Sequence, residues 1–193
     1  MPLYEEYTAG DGNHLVIVDV QKDFSQWMPD GYLQRVHDHA KSVPNVYQVW
    51  DANRTDGPSE KFENEKMTVP KRYGYNLRKE DVRNYFTGES QRELESDMDS
   101  DKFHCEQGRR KTYRARDGKV LFYVGKSHKF FMAEPELMKM MEYLKQLNSK
   151  IIIIGGADNE CLADVEACMD HYEIPFERKH DLIYPVKKEE AAI

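Results

Sequence analysis

Three residues able to take part in chemistry each follow an apolar stretch of the chain. Asp19 lies at the end of HLVIVDV, Lys126 follows VLFYV after one glycine, and Cys161 follows IIIIGGADNE. Each stretch is a near-continuous apolar run, which is typical of a strand covered on both faces of a parallel sheet. Because ligands bind beyond the carboxyl ends of such strands, we expect an acid, a cation and a thiol at one edge of the sheet.

The thiol has the most specific surroundings of the three. The glycines at 155–156 break the isoleucine strand, and CLADVEACMDHY, which begins at Cys161, has a helical pattern. Amides at a helix N-terminus favour a thiolate. Asp19 could take the thiol proton and Lys126 could hold the negative charge, an arrangement suited to attack on an amide carbonyl. The alternative is that Cys161 is a buried structural cysteine and that the two charged residues cap strands or pair with each other.

The elements around these residues alternate between strand and helix. The pattern predicts a helix over 31–40, a strand over 46–50, a helix over 134–147 and a short strand over 174–177. VLFYV is expected to be the third strand of the same sheet. The sequence therefore predicts a three-layer α/β/α, Rossmann-like fold with a central parallel sheet.

Length, charge and cysteine count limit the class of protein. The chain of 193 residues can bury one core, so we expect a single domain over 1–193 with a charged insertion at about 55–118. A net charge of −7 argues against general nucleic-acid binding. Three cysteines, no signal-peptide pattern and no apolar run of membrane-spanning length predict a cytoplasmic protein that binds no membrane.

Three motifs resemble those of one enzyme family. DVQKDF at 19–24 is similar to the D-x-Q-x-D-F opening of the isochorismatase-like hydrolases, which include the nicotinamidases. The strand followed by Lys126 and then by Phe130 or Phe131 is similar to that family's lysine-to-phenylalanine segment. GGADNECLADVEACMDH is similar to its G-x-A-x-D/N-x-C-V segment, with Leu162 where valine is usual. The resemblance covers about 13–50 and 119–178, in the family's order, and the segment between has no counterpart.

The resemblance implies a role for each motif residue. Asp19 would be the general base, Cys161 the nucleophile and Lys126 the electrostatic partner. It also implies a cis peptide between Gly156 and Ala157, which aims the amides of Ala157 and Cys161 at the oxygen of the tetrahedral intermediate. The predicted substrate-binding residues are Gln21, Phe24, Trp50 and Arg54.

A metal site is not expected. Nicotinamidases carry a D-x-H-x-x-H-type site after the second strand, but here that place reads DANRT at 51–55. Asp51 alone cannot hold a zinc ion, which normally has roughly three protein ligands or more. Other family members hydrolyse amides, ureas or carbamoyl groups without a metal, so we expect no cofactor. Arg54, in this loop, is a candidate for contacting a carboxylate on the substrate.

The leading hypothesis is a cysteine-dependent hydrolase of a small-molecule amide or carbamoyl C–N bond, acting through an acyl-enzyme. One alternative is a hydrolase of an isochorismate-like vinyl ether, which needs the acid and the lysine but no cysteine. The other is a catalytically inactive or divergent binding or regulatory protein that keeps the fold and uses the insertion as an interaction surface. The expected partner is a small-molecule substrate. The resemblance also implies that the protein could form a homo-oligomer, since members of the family often form dimers or tetramers.

Overall fold

The structure is a computed structural model, which describes residues 13–52, 54, 57–75, 86, 88–99, 112–114, 120–124, 129–158 and 160–185. The helices and strands within these residues are, in chain order, β1 (His14–Val18), a 3₁₀-helix (Lys22–Trp27), α1 (Tyr32–Ser42), β2 (Asn45–Trp50), β3 (Glu65–Pro70), β4 (Arg72–Tyr75), α2 (Gly88–Asp99), β5 (Thr112–Arg114), β6 (Val120–Val124), β7 (Lys129–Ala133), α3 (Pro135–Gln146), β8 (Ile151–Gly156), α4 (Cys161–His171) and β9 (Phe176–Tyr184).

The central sheet contains five strands, all parallel, in the order β3-β2-β1-β8-β9. Successive side chains of a strand point to opposite faces, so one strand serves two cores. Leu15 and Ile17 of β1 pack in a cluster with buried residues of α1, whereas Val16 and Val18 pack with α3 and α4. Helices therefore cover both faces, and the predicted three-layer α/β arrangement with a parallel sheet is confirmed.

The two outer helices α1 and α3 form where the sequence indicates them. α3 begins with Pro135 in its first turn, where a missing amide proton is tolerated, and it buries one stripe that includes Leu137, Met141 and Leu144. α1 follows Gly31, whose φ of 68° lies in the left-handed region. None of the helices in the described part of the chain combines the length and the apolar character needed to cross a bilayer.

Helix α4 differs from the other helices because it is buried on nearly every side. All of its residues from Cys161 to Met169 are buried. The helix contacts β8 of the central sheet and also β6, which belongs to a second sheet. A helix enclosed in this way needs no polar face. Its first residue, Cys161, therefore lies inside the protein.

The second sheet contains four antiparallel strands in the order β4-β7-β6-β5. The prediction that VLFYV is a strand of the parallel sheet is therefore wrong, because this segment is β6 and pairs antiparallel with β5 and β7. The physical reason lies in the connection. Only residues 125–128 separate β6 from β7, and a short connection can join antiparallel neighbours, whereas parallel neighbours need a longer crossover.

The segment 55–118, predicted to be an insertion, contributes to both sheets. Its strand β3 pairs in parallel with β2 and forms an edge of the central sheet, and β4 and β5 belong to the second sheet. The stretch Glu65–Pro70 is thus part of the central sheet. Its side chains alternate between more and less exposed positions, as expected at a sheet edge, and this weak apolar signal hid the strand. The strand predicted over 174–177 is also longer than expected, since β9 extends to Tyr184.

Lys71 joins the two sheets. It lies between the last residue of β3 and the first residue of β4. Its backbone N–H donates to the carbonyl of Trp50, at the end of β2, over 2.8 Å, and its carbonyl accepts from the N–H of Glu134, just after β7, over 3.4 Å. The backbone of Lys71 is therefore held from both sides, which fixes where its side chain begins.

Candidate active site

Asp19 lies immediately after β1, at the carboxyl edge of the central sheet, and is fully buried. Its φ of 51° is in the left-handed region, where the chain turns out of the strand. Its N–H donates to the carbonyl of Val49 over 2.8 Å, and its carbonyl accepts from the Gln21 N–H over 3.1 Å and from the Tyr184 hydroxyl over 2.7 Å. These three bonds hold the backbone of Asp19, so the direction of its carboxylate is set by the fold.

The carboxylate of Asp19 has two different oxygens. Oδ2 forms an ion pair with the ammonium of Lys71, and both side chains are completely buried. Oδ1 is also buried, and no hydrogen-bond donor among the described residues reaches it. A buried charge needs a partner, which Lys71 supplies, and Oδ1 keeps its capacity to accept a proton or a hydrogen bond.

Lys71 is a candidate functional residue that the sequence analysis does not predict. The cation chosen there, Lys126, lies outside the described residues, and the strand before it belongs to the antiparallel sheet rather than to the parallel one. Lys71 satisfies the rule that selected the other two residues, since it directly follows a strand of the parallel sheet. The sequence signal for this position is the apolar end of MTVP, which lies inside the segment predicted to be an insertion.

Cys161 is the first residue of α4 and is 6% exposed. A tight turn leads into it, in which the carbonyl of Ala157 accepts from the N–H groups of Glu160, over 3.1 Å, and Leu162, over 3.2 Å. The peptide bond between Gly156 and Ala157 is cis, as the motif resemblance implies. No side chain of Glu160 caps the helix, and a helix N-terminus favours a thiolate at its first residue.

The register of the central sheet places the segment that carries Asp19 beside the segment that leads to Cys161. Val18, just before Asp19, is paired with Gly155, just before the cis peptide. The hydroxyl of Tyr184, at the end of β9, donates to the backbone carbonyl of Asp19. Burial raises the pKa of the Tyr184 hydroxyl most strongly, and the charge of Asp19 raises this pKa further. Tyr184 therefore remains a protonated donor toward the Asp19 carbonyl.

The glycine pair allows the close approach of these elements. A Cβ on Gly155 would lie 2.0 Å from the carbonyl oxygen of Val18, and the φ of Gly155 is 107°. A Cβ on Gly156 would lie 2.6 Å from ring atoms of Tyr184. A side chain at the first glycine would overlap the backbone of β1, and a side chain at the second would overlap an aromatic ring, so each position requires glycine for a different reason.

Gln21, predicted to bind substrate, ties together two loops of the site edge. Its side chain is buried, and its Oε1 accepts from the N–H of Asp51 over 2.8 Å. Its Nε2 points back to the carbonyl of the same residue, over 3.4 Å. The amide of Gln21 thus holds the backbone after β2 against the backbone after β1. Trp50, the other predicted binding residue at this point, is half-buried at the end of β2.

Phe24 and Arg54 meet at the same edge. Phe24 is 3% exposed and belongs to the buried cluster that also contains Ala157 and Tyr184. Its ring stacks on Trp27 at a centroid distance of 5.5 Å. The guanidinium carbon of Arg54 lies 5.1 Å from the centroid of the Phe24 ring, and Arg54 itself is exposed. A planar cation therefore covers an aromatic ring beside the site.

The second cysteine of α4 has a different environment. Cys168 is completely buried, and burial, with a further contribution from the charge of Asp164, raises the pKa of its thiol well above the usual value. A thiol held protonated in this way is a poor nucleophile. Cys168 therefore provides an internal reference against which the reactivity of Cys161 can be measured.

The residues gathered at this edge are an acid with one oxygen available, a buried ammonium, a thiol at a helix N-terminus and an exposed guanidinium. Within the described ranges no group of three or more His, Cys, Asp and Glu side chains is arranged to hold a metal ion. Such a set can transfer a proton, balance negative charge and attack an electrophilic carbon. Comparison of the chain with protein-family models, with curated proteins and with solved structures finds no match.

Proposed function

We propose that the protein is a hydrolase of the isochorismatase-like type that cleaves a C–N bond of a small-molecule amide or carbamoyl compound through a covalent acyl-enzyme on Cys161. The observation that carries the proposal is the buried ion pair between Asp19 and Lys71, which leaves Oδ1 of Asp19 available at the sheet edge where α4 begins with Cys161. An ion pair that serves only stability has no need of a nearby thiol. A nucleophilic thiol needs an acid to accept its proton and a cation to balance the negative charge.

In the first half of the reaction, the thiol of Cys161 gives its proton to Oδ1 of Asp19, and the sulfur attacks the carbonyl carbon. The C=O electron pair moves onto oxygen, and the amides of Ala157 and Cys161 are the proposed donors to this oxyanion. When the oxyanion collapses, the C–N bond breaks and the leaving nitrogen takes the proton from Asp19. The product amine or ammonia leaves, and a thioester on Cys161 remains.

In the second half, water replaces the amine. Asp19 takes a proton from the water, whose oxygen attacks the thioester carbon. Collapse of this intermediate breaks the C–S bond, and the sulfur recovers the proton. The acid product leaves, and the enzyme returns to its starting state with no redox change.

Lys71 is the electrostatic partner in this mechanism, the role that the sequence assigned to Lys126. Its ammonium is already paired with Asp19 before substrate arrives, so the negative charge that moves between carboxylate, sulfur and oxyanion stays close to one fixed positive charge. Because the ammonium is already in place in a buried site, the surrounding charges and dipoles reorganise little during the reaction. The site would act in the cytoplasm, where reducing conditions keep Cys161 as a thiol.

The proposal is tested by the pH dependence of the alkylation of Cys161 by iodoacetamide, with the modified residue identified by mass spectrometry. Fast reaction at neutral pH that slows by about tenfold in Asp19→Asn is expected of an assembled nucleophile. Cys168, in the same helix, supplies the comparison within each sample. Equal, slow modification of Cys161 and Cys168 would contradict the proposal and favour a non-catalytic binding protein.

A substrate screen of small amides, ureas and carbamoyl compounds then measures turnover. Cys161→Ala should lower kcat by about 10³-fold or more, because the covalent step is lost. A vinyl ether is included in the same screen, and its turnover, retained in Cys161→Ala and lost in Asp19→Asn, would instead identify a vinyl ether hydrolase, in which the acid acts without the thiol. The two variants therefore separate the two enzymatic hypotheses.

A further inference from the structure

We infer that the substrate carries an anionic group, such as a carboxylate, and that Arg54 binds this group at the rim of the site. The inference rests on the proposed function, and it adds the class of substrate that the function leaves open. Its basis is the position and the environment of one guanidinium.

The guanidinium of Arg54 is oriented before any substrate binds. It lies over the Phe24 ring, 5.1 Å from the centroid, and the ring is itself fixed by burial and by stacking on Trp27. The backbone N–H of Arg54 donates to the carbonyl of Asp51 over 3.1 Å, closing a turn. A guanidinium held over a ring keeps its N–H donors for other partners, and its planar fork can bind a carboxylate through two hydrogen bonds.

Short connections link this guanidinium to the reacting groups. The N–H of Gln21 donates to the carbonyl of Asp19, and the N–H of Phe24 donates to the carbonyl of Gln21, so Phe24 lies two tight turns from the acid. The side chain of Gln21 also holds the backbone of Asp51, from which the turn to Arg54 starts. The acid, the aromatic ring and the guanidinium therefore belong to one connected edge.

Within the described part of the chain, the guanidinium of Arg54 makes a ring contact but no ion pair. No carboxylate in that part of the chain therefore neutralises its charge. Arg178 shows the contrast, since its guanidinium is bonded to the carboxylates of both Glu166 and Asp158. An arginine kept for structure is paired in this way. An oriented, exposed arginine beside a site for small molecules is instead suited to an anion from outside.

Two reagents of nearly equal size test the inference. Iodoacetate carries a carboxylate and iodoacetamide does not, and both alkylate the same thiol. The rates of Cys161 modification by each reagent are measured for the full chain and for Arg54→Gln. Lys41→Gln is the control, because it removes the same charge from an exposed residue in the last turn of α1, where the chain returns to the amino end of β2.

The inference predicts that Arg54→Gln slows iodoacetate by about fivefold or more while the iodoacetamide rate changes by less than about twofold. Lys41→Gln should leave the ratio of the two rates unchanged. If Cys161 reacts but the ratio in Arg54→Gln equals that of the unaltered chain, the inference is overturned and the proposed function stands. If Cys161 reacts with neither reagent, the proposed function fails, and the inference falls with it.

Protection by simple amides, measured over a time short compared with any turnover, gives a second readout. Succinamate and butanamide both present an amide, but only succinamate carries a carboxylate. Succinamate should protect Cys161 from iodoacetamide at about tenfold lower concentration than butanamide, and this advantage should disappear in Arg54→Gln. Equal protection by the two amides in the unaltered chain would contradict the inference.

Discussion

The ring of Tyr184 lies against Gly156, so closely that a Cβ at position 156 would be 2.6 Å from ring atoms Cε2 and Cζ. The hydroxyl of the same ring donates to the carbonyl of Asp19 over 2.7 Å. One side chain, from the end of β9, thus contacts the backbone ends of both β1 and β8. The acid and the loop leading to the thiol are held in relation to each other through this tyrosine.

Gly156→Ala should move the Tyr184 ring and destabilise the protein by about 1–3 kcal/mol, because the added methyl overlaps a ring that is buried and cannot retreat. Urea unfolding measures the change. Gly57→Ala is the matched control, since a Cβ there meets nothing within 4 Å, and its effect should stay within about 0.5 kcal/mol. Equal unfolding midpoints for the two variants would contradict the packing described here.

Tyr184→Phe and Tyr32→Phe each remove one buried hydroxyl that donates to a main-chain carbonyl. The acceptors are the carbonyls of Asp19, over 2.7 Å, and of Leu182, over 2.8 Å. We expect each variant to lose about 1–2 kcal/mol of stability. Only Tyr184→Phe should also slow the alkylation of Cys161, because only its acceptor belongs to the acid. Equal alkylation rates in the two variants would show that Tyr184 has a structural role alone.

Lys71→Met should destabilise the protein by about 3–5 kcal/mol, since it leaves the Asp19 carboxylate buried without its cation. Adding Asp19→Asn to that variant removes the stranded charge and should restore part of the loss. Urea unfolding of the two single variants and the double variant closes a thermodynamic cycle, with an expected coupling energy of about 2 kcal/mol or more. Additive losses would mean that the two side chains do not interact.

His39 gives the protein a stability that depends on pH. Burial lowers the pKa of its imidazole, the charge of Lys179 lowers this pKa further, and Asp181 acts in the opposite direction. Its buried Nε2 meets no hydrogen-bond partner in the described ranges. Because the folded-state pKa is the lower one, the unfolded chain binds the proton first as the pH falls, so stability is lost below about pH 6.5.

His39→Gln should therefore lose less stability than the unaltered chain between about pH 7 and about pH 5. The measurement is the urea midpoint at each pH. His180→Gln, an exposed residue on the neighbouring strand β9, serves as the control and should follow the unaltered chain. A parallel loss in His39→Gln would rule out this imidazole as a source of the acid sensitivity.

Arg178→Met should destabilise the protein and slow the alkylation of Cys161. Arg178 binds Glu166 of α4 with two nitrogens and Asp158, in the turn before Cys161, with the third. Because the pair with Glu166 is largely buried, we expect a loss of about 2 kcal/mol. Lys150→Met removes an exposed pair with Glu177 and should shift neither the urea midpoint nor the alkylation rate.

The strongest sequence signals were those with a simple physical basis. Four adjacent isoleucines before a glycine pair could only be a strand buried on both faces, and the stripe of α3 had the period of a helix. Asp19 and Cys161 were found by the rule that function lies at strand ends, and the structure places both there. The register between β1 and β8 then brings the two chain segments side by side.

The cation was the part that could not be found in this way. β3 is an edge strand, and its alternating polar side chains resemble those of a loop. The stretch before Lys126 had the stronger apolar signal, but sequence pattern does not report whether such a strand pairs in parallel or antiparallel. Pairing is a non-local property, and here β3 is the parallel strand whose end carries the lysine paired with Asp19.

The junction at Lys71 has a mechanical consequence. The two backbone hydrogen bonds of this residue connect the central sheet, through Trp50, to the end of the second sheet, through Glu134. A force that separates the two sheets would act on these bonds first and would pull the ammonium away from the carboxylate. The residue that balances the charge of Asp19 is therefore also the residue that links the two sheets. Strain between the sheets would move its ammonium and so change the electric field at the thiol.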